Sequence, residues 1–116
     1  MKTTLITGRQ GSGKNSRAYE LIGLGRRFIE IDANRLSNKD SYNGLIDEGD
    51  NIIIIDEVNN SNLPEIKKIK IKDGIIAHRK PYTSEVKEYK ISELFILSVH
   101  DISESFRESA FTHIKL

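Results

Sequence analysis

The sequence predicts an α/β fold built on a parallel sheet, and three stretches carry that prediction. Thr3 to Thr7 forms a short strand that runs into a glycine-rich loop and then a helix-compatible segment. Ile52-Ile53-Ile54-Ile55 is an unbroken β-branched run ending in Asp56-Glu57, and Leu94-Phe95-Ile96-Leu97-Ser98 is a second apolar run. A strand covered on both faces is apolar at every position, whereas a strand with one wet face alternates.

The remaining elements follow in order. Asn15 to Leu24 reads as a helix with Ala18, Leu21 and Ile22 on one face, and Gly23 and Gly25 stop it. Arg27 to Ile31 carries apolar residues at alternate places and predicts a second strand. Ala33 to Gly49 is polar with weak helical periodicity through Leu36, Leu45 and Ile46, which predicts one irregular helix. Lys68 to Lys72 alternates with period two, and Asp73-Gly74 is a strong two-residue hairpin signal, so Ile75 to Lys80 is expected to return antiparallel. Ser103 to Ala110 suits a short helix and Thr112 to Leu116 a last strand. The chain shows no internal repeat, low-complexity tract or linker.

A length of 116 residues allows one continuous core, so a single domain over residues 1–116 is expected. The net charge of +1 excludes a chain that binds nucleic acid or a membrane surface through its overall charge, and any basic site must be local. With no cysteine there is no disulfide framework, thiolate metal site or thiol nucleophile. No apolar run is long enough to cross a bilayer. A cytoplasmic protein with no membrane partner is the expectation.

Gly8-Arg9-Gln10-Gly11-Ser12-Gly13-Lys14 matches the first seven places of the phosphate-binding pattern G-x-x-x-x-G-K-[ST], between a predicted strand and a predicted helix. Glycines let consecutive N–H groups turn inward toward phosphate oxygens, the helix N-terminus adds partial positive charge, and Lys14 reaches the outer phosphates. ATP is the expected ligand, bound by Gly8 through Ser16. The hydroxyl that should follow the lysine and ligate Mg²⁺ is replaced by Asn15, with Ser16 next. An amide oxygen is a neutral hard-cation ligand, so the metal is held by Asn15 or shifts to Ser16. Together these features define the expected class: a three-layer P-loop NTPase with a parallel β-sheet core plus an inserted basic β-hairpin.

Hydrolysis needs a carboxylate to hold Mg²⁺ and a group to position the attacking water. Asp56 and Glu57, projecting from the carboxyl end of a buried strand, supply one of each: Asp56 for the metal, Glu57 for the water. An acidic pair ending a strand at the surface is the plainer alternative. Glu57 also disfavours a nucleotide kinase, which usually lacks a carboxylate there.

In order, these motifs resemble the viral and phage superfamily 3 helicases and related small AAA+-like motors. The likeness runs from Gly8–Lys14 and Ile52–Glu57 through Arg79-Lys80-Pro81-Tyr82 to Phe95–His100. It implies a sensor strand lying between the other two motif strands. It also implies a γ-phosphate sensor at His100, with Ser98 as second choice, and a finger at Arg107 that reaches the ATP of a neighbouring subunit in a homo-oligomeric ring. Structural roles for His100 and Arg107 stand as alternatives.

From Lys67 to Lys90, eight lysines and arginines face three acids, a local charge of +5 in a chain of net +1. Lys70, Lys72, Arg79, Lys80 and Tyr82 are the residues expected to track a phosphate backbone and stack a base, most simply of single-stranded DNA. A guarded hairpin edge is the alternative. The sequence thus points to a Mg²⁺-dependent ATPase motor acting on nucleic acid. A nucleotide-holding switch with little hydrolysis comes second and a nucleotide kinase third.

Overall fold

The computed structural model describes residues 1–47, 49–71, 73–79, 82–107 and 111–116, the side chains of Lys70 and Ile71 excepted. Its elements are β1 (Lys2–Thr7), α1 (Lys14–Ile22), β2 (Ile29–Asp32), two 3₁₀ turns (Ala33–Arg35 and Lys39–Tyr42), β3 (Ile52–Val58), α2 (Leu63–Ile71), β4 (Ile75–Arg79), β5 (Val86–Lys90), β6 (Glu93–Ser98), a 3₁₀ turn (Ser103–Phe106) and β7 (Phe111–Lys115).

Five strands form one sheet in the order β2-β3-β6-β1-β7, and every neighbouring pair is parallel. The expected sensor strand, β6, lies between the acidic-pair strand β3 and the glycine-loop strand β1. Alternation decides the packing. Ile6, Ile52, Ile54, Phe95 and Leu97 join Ala18 and Ile22 of α1 on one face. Leu5, Ile53, Ile55, Leu94 and Ile96 pack with Leu63, Ile66 and Ile69 of α2, together with Tyr89, Ile91 and Phe106, on the other. Ile52 to Ile55 are at most 1% exposed, and each such side chain contributes about 1.5–3 kcal/mol by leaving water. Both faces of the sheet are therefore covered, which is why the inner strands β3 and β6 read as unbroken apolar runs, while β1 buries Thr3, Thr4 and Thr7 beside Leu5 and Ile6.

Several expectations need correction. Leu21 is 46% exposed, because the face that α1 presents to the sheet is the row Lys14, Ala18, Ile22, spaced four residues apart. Ala33 to Gly49 holds two separate 3₁₀ turns rather than a helix, each capped by its own aspartate or asparagine: Asp32 accepts from the Asn34 N–H and Asn38 from the Asp40 N–H. Such local side-chain acceptors compete with the helical ladder. Among the described residues of the predicted last helix, Ser103–Phe106 forms a 3₁₀ turn; positions 108–110 lie outside the described residues.

The largest correction concerns residues 63–90. Lys68 to Ile71 belongs to α2 and is not a hairpin strand. Leu63, Ile66 and Ile69 are buried at three-residue spacing, and Pro64 sits in the first turn, where a missing N–H costs nothing. The turn before the helix is tied by Asn59, which accepts from the N–H of Ser61 and of Asn62. Asp73 (φ 51°) and Gly74 (φ 78°) are left-handed, and the Gly74 N–H donates to the Ile69 carbonyl at 3.0 Å. This six-to-one closure is a helix C-terminus, so Asp73-Gly74 ends α2. The antiparallel hairpin exists, but it pairs β4 with β5, Ile75 opposite Lys90 and Arg79 opposite Val86.

Candidate functional site

The carboxyl ends of β1, β3 and β6 surround a cleft of about 440 Å³ lined by Gln10, Gly11, Gly13, Lys14, Asn15 and Ser16 from the glycine loop and α1, by Asp56 to Asn59, and by Leu97, Val99 and His100. The loop needs its glycines for two different reasons. Gly11 (φ 80°) and Gly13 (φ 90°) occupy the left-handed region, which disfavours any side chain. At Gly8 the obstacle is space: a Cβ would come within 2.5 Å of Ser12 Oγ and 3.1 Å of Leu116 Cβ. The Ser12 N–H donates to the Arg9 carbonyl at 3.0 Å and closes the turn.

Lys14 is 7% exposed. Its ammonium donates to the carbonyls of Gly8 (2.9 Å) and Arg9 (3.0 Å), and among the described residues it forms no ion pair. Gly13 precedes α1 with no side-chain cap, and the first turn holds no acid. The first N–H groups of a helix have no intrahelical partner. The cleft therefore presents a nearly buried cation, a helix N-terminus and glycine backbone to the same space, an arrangement suited to an anion.

β3 delivers the acids through a bulge. Ile55 pairs with Ile96 and Val58 with Ser98, so β3 holds one residue more than β6 over this interval. In a regular strand Glu57 would share the buried face of Ile55. The extra residue places Val58 on that face instead, in the α2-side core, while Glu57 takes φ 59° and is exposed in the cleft. Asp56 is half-buried and held at both oxygens: Oδ1 accepts the Glu57 N–H at 2.8 Å and Oδ2 accepts Asn15 Nδ2 at 3.0 Å.

His100 lines the cleft at the end of β6. Ser98, the second sensor candidate, points elsewhere: its hydroxyl donates to the Val58 carbonyl and accepts the His100 N–H. Arg107 does not line the cleft. Its guanidinium is exposed and pairs with Glu104 at 2.6 Å.

The expected nucleic-acid set divides. Arg79 ends β4, and Tyr82 is exposed in the connection to β5. Lys70 is on α2 rather than on the hairpin, and its side chain, like Lys72 and Lys80, lies outside the described residues. The basic hairpin itself carries Lys87 and Lys90 opposite β4, and Lys87 is tied to Asp47 at 3.2 Å. That pairing also holds the Lys87 ammonium above its ordinary pKa.

Two residues of the site escaped the sequence reading. Glu30 on β2 accepts Asn15 Nδ2 at 2.8 Å, and Tyr19 on α1 donates to Glu30 at 2.9 Å. Burial, with Glu30 beside it, raises the Tyr19 phenol above its ordinary pKa. The available signal was the four-residue spacing of Asn15 and Tyr19, which stacks them on one side of a helix. Nothing local to Glu30 announced that β2 would stand beside them.

No family model and no curated protein matches the chain. Among solved structures it is similar to one described as the A form apo structure of the NrS-1 C-terminal region, with 18% identity and a TM-score of 0.52. That likeness covers 98% of this chain and 28% of the other, so the chain spans little more than a quarter of its length. The likeness is one of fold. Among the described residues no helix is long and apolar enough to cross a membrane.

Proposed function

We propose that this chain is a P-loop NTPase that binds ATP with Mg²⁺ in the cleft between α1 and β3 and hydrolyses it as a motor on nucleic acid. The observation that supports this reading is the convergence of Lys14, the uncapped N-terminus of α1, Asp56 and Glu57 on one cleft. The glycine loop would cradle the phosphates and Lys14 would neutralise the outer ones. Asp56 with Asn15 or Ser16 would hold Mg²⁺, whose charge would stabilise the transferred phosphoryl group. The donor set fits a hard cation, being carboxylate, amide and hydroxyl oxygen. Glu57, turned into the cleft by the bulge, is the group to orient an attacking water, and His100 is placed to contact the nucleotide from β6. Exposed Arg107 would exchange its Glu104 pairing for the nucleotide of a neighbouring copy's site, and the basic hairpin with Tyr82 is the surface for single-stranded DNA.

One observation favours a second reading. Both Asp56 oxygens are already engaged, one by Asn15, as suits a module that holds nucleotide as a switch and turns it over slowly. Calorimetry with ATP, with and without Mg²⁺, and steady-state turnover with and without single-stranded DNA test both. Binding that Lys14→Ala abolishes, with turnover that Glu57→Gln abolishes, supports the motor. Binding without turnover supports the switch, and no binding at millimolar ATP overturns both.

A further inference from the structure

Asn15 stands where a phosphate loop ordinarily places a hydroxyl, and the two groups differ in their hydrogens. A hydroxyl has one donor and two lone pairs, so it donates to a neighbouring carboxylate and still offers an oxygen to a cation. A carboxamide has two N–H donors on one atom and a separate oxygen. Given to Asp56 alone, the amide would leave a second N–H in the metal site, where it repels a cation, and a single carboxylate contact would set which way the amide faces.

Glu30 changes both. Asn15 Nδ2 donates to Glu30 Oε1 at 2.8 Å and to Asp56 Oδ2 at 3.0 Å, so each N–H meets a carboxylate in a charge-assisted bond. The reversed amide would set Oδ1 against two anionic oxygens, which decides its orientation. Glu30 is itself held: the Tyr19 hydroxyl lies 2.9 Å from Oε2 and 3.2 Å from Oε1, and the Tyr19 ring stacks on Phe28 with centroids 5.4 Å apart. The sheet puts Glu30 in place, since it pairs in register with Ile54, whose side chain faces α1. In-register neighbours share a face.

We propose that Glu30, braced by Tyr19, is a positioning residue that orients the Asn15 amide so that Oδ1 rather than Nδ2 is offered to a divalent cation, making asparagine serve where a hydroxyl would. The inference rests on the cleft taking a metal–nucleotide. It makes Glu30 necessary only while position 15 is an asparagine.

The test is ATP affinity, measured with saturating Mg²⁺ and with EDTA, for the wild type, Glu30→Ala, Glu30→Gln, Asn15→Thr and the Asn15→Thr/Glu30→Ala double variant. Glu30 is exposed, so its removal leaves the fold intact. Glu30→Ala is expected to lower the Mg²⁺-dependent part of the affinity about tenfold, as loss of an outer partner does, and to leave the EDTA value unchanged. Glu30→Gln, which keeps an acceptor oxygen, should restore most of it. In the Asn15→Thr background Glu30→Ala should have no effect. Mg²⁺-dependent binding that Glu30→Ala leaves untouched, or lowers equally in both backgrounds, overturns the role of Glu30 alone. Equal losses for Glu30→Ala and Glu30→Gln replace orientation by simple charge and overturn it too. Failure of the wild type to bind ATP in either condition overturns the nucleotide reading and this inference with it.

Discussion

Ser98 of β6 is bonded to Val58 of β3: its hydroxyl donates to the Val58 carbonyl at 2.8 Å, and both residues are 1% exposed. The same oxygen accepts the His100 N–H at 3.1 Å. One side chain therefore closes the register just past the bulge that turns Glu57 outward and also fixes the chain leading to His100. Ser98→Ala removes both of these side-chain bonds and is expected to cost about 1–3 kcal/mol. Denaturant titration checks this. Because Ser98 does not line the cleft, ATP affinity should change far less than with Lys14→Ala.

Glu57 owes its exposure to the bulge, and its conformation at φ 59° is unfavourable for a side chain. Glu57→Gly is expected to stabilise the fold modestly, by about 1 kcal/mol, through relief of that strain. Turnover should vanish in the same variant. A rise in thermal midpoint together with loss of hydrolysis is the expected pair of results.

The two kinds of glycine in the loop predict different rescues. Gly8→Ala collides with Ser12 Oγ and Ser12 Cβ, so Ser12→Gly should recover part of its lost stability and ATP binding. A Cβ on Gly13 meets nothing within 4 Å, but φ is 90°. Gly13→Ala should thus cost about 1–2 kcal/mol that no neighbouring truncation restores.

Gly74 closes α2 with φ 78°, and a Cβ there would approach Met1 Sδ at 2.8 Å and the Ile91 carbonyl at 3.0 Å. Conformation and space act together, so Gly74→Ala should destabilise the protein more than Gly13→Ala does. If Asp73-Gly74 were a surface hairpin turn, the substitution would cost only the conformational part. Equal losses in denaturant titration would count against the helix cap.

Asp101 precedes the 3₁₀ turn of Ser103. The Ser103 hydroxyl and N–H, with Lys115 nearby, pull its carboxyl down to about 2 from an ordinary value of 3.8. The folded value lies below the unfolded one, so the stabilisation is fully present above about pH 4 and is lost as pH falls through about 2. Carboxyl NMR titration should place Asp101 near 2, and Ser103→Ala should move it up. A midpoint near 4 in the wild type would refute the Asp101–Ser103 hydrogen bonding.

Much of the site was legible before any folding. Gly8 to Lys14 and Ile52 to Glu57 are local patterns, and the glycine loop and acidic strand end that they describe do stand beside one cleft. Lys68 to Lys72 misled because five alternating residues fit a strand as well as the last turn of a helix. Leu63, Ile66 and Ile69, three apart and preceded by a capping turn, were the stronger pattern. The expected strand and the observed helix differ in what the apolar residues pack against, and that lies on the sheet.

What the sequence by itself determined is the list of buried strands and the chemistry of the loop between the first strand and helix, since unbroken apolar runs and left-handed glycines are needs of the chain at those positions. Tertiary structure alone decided that Val58 rather than Glu57 enters the core, that the hairpin pairs Ile75–Arg79 with Val86–Lys90, and that Glu30 reaches Asn15. Each of these depends on the register or docking of separate segments, where the free energy lies in contacts between elements and leaves no periodicity within either one.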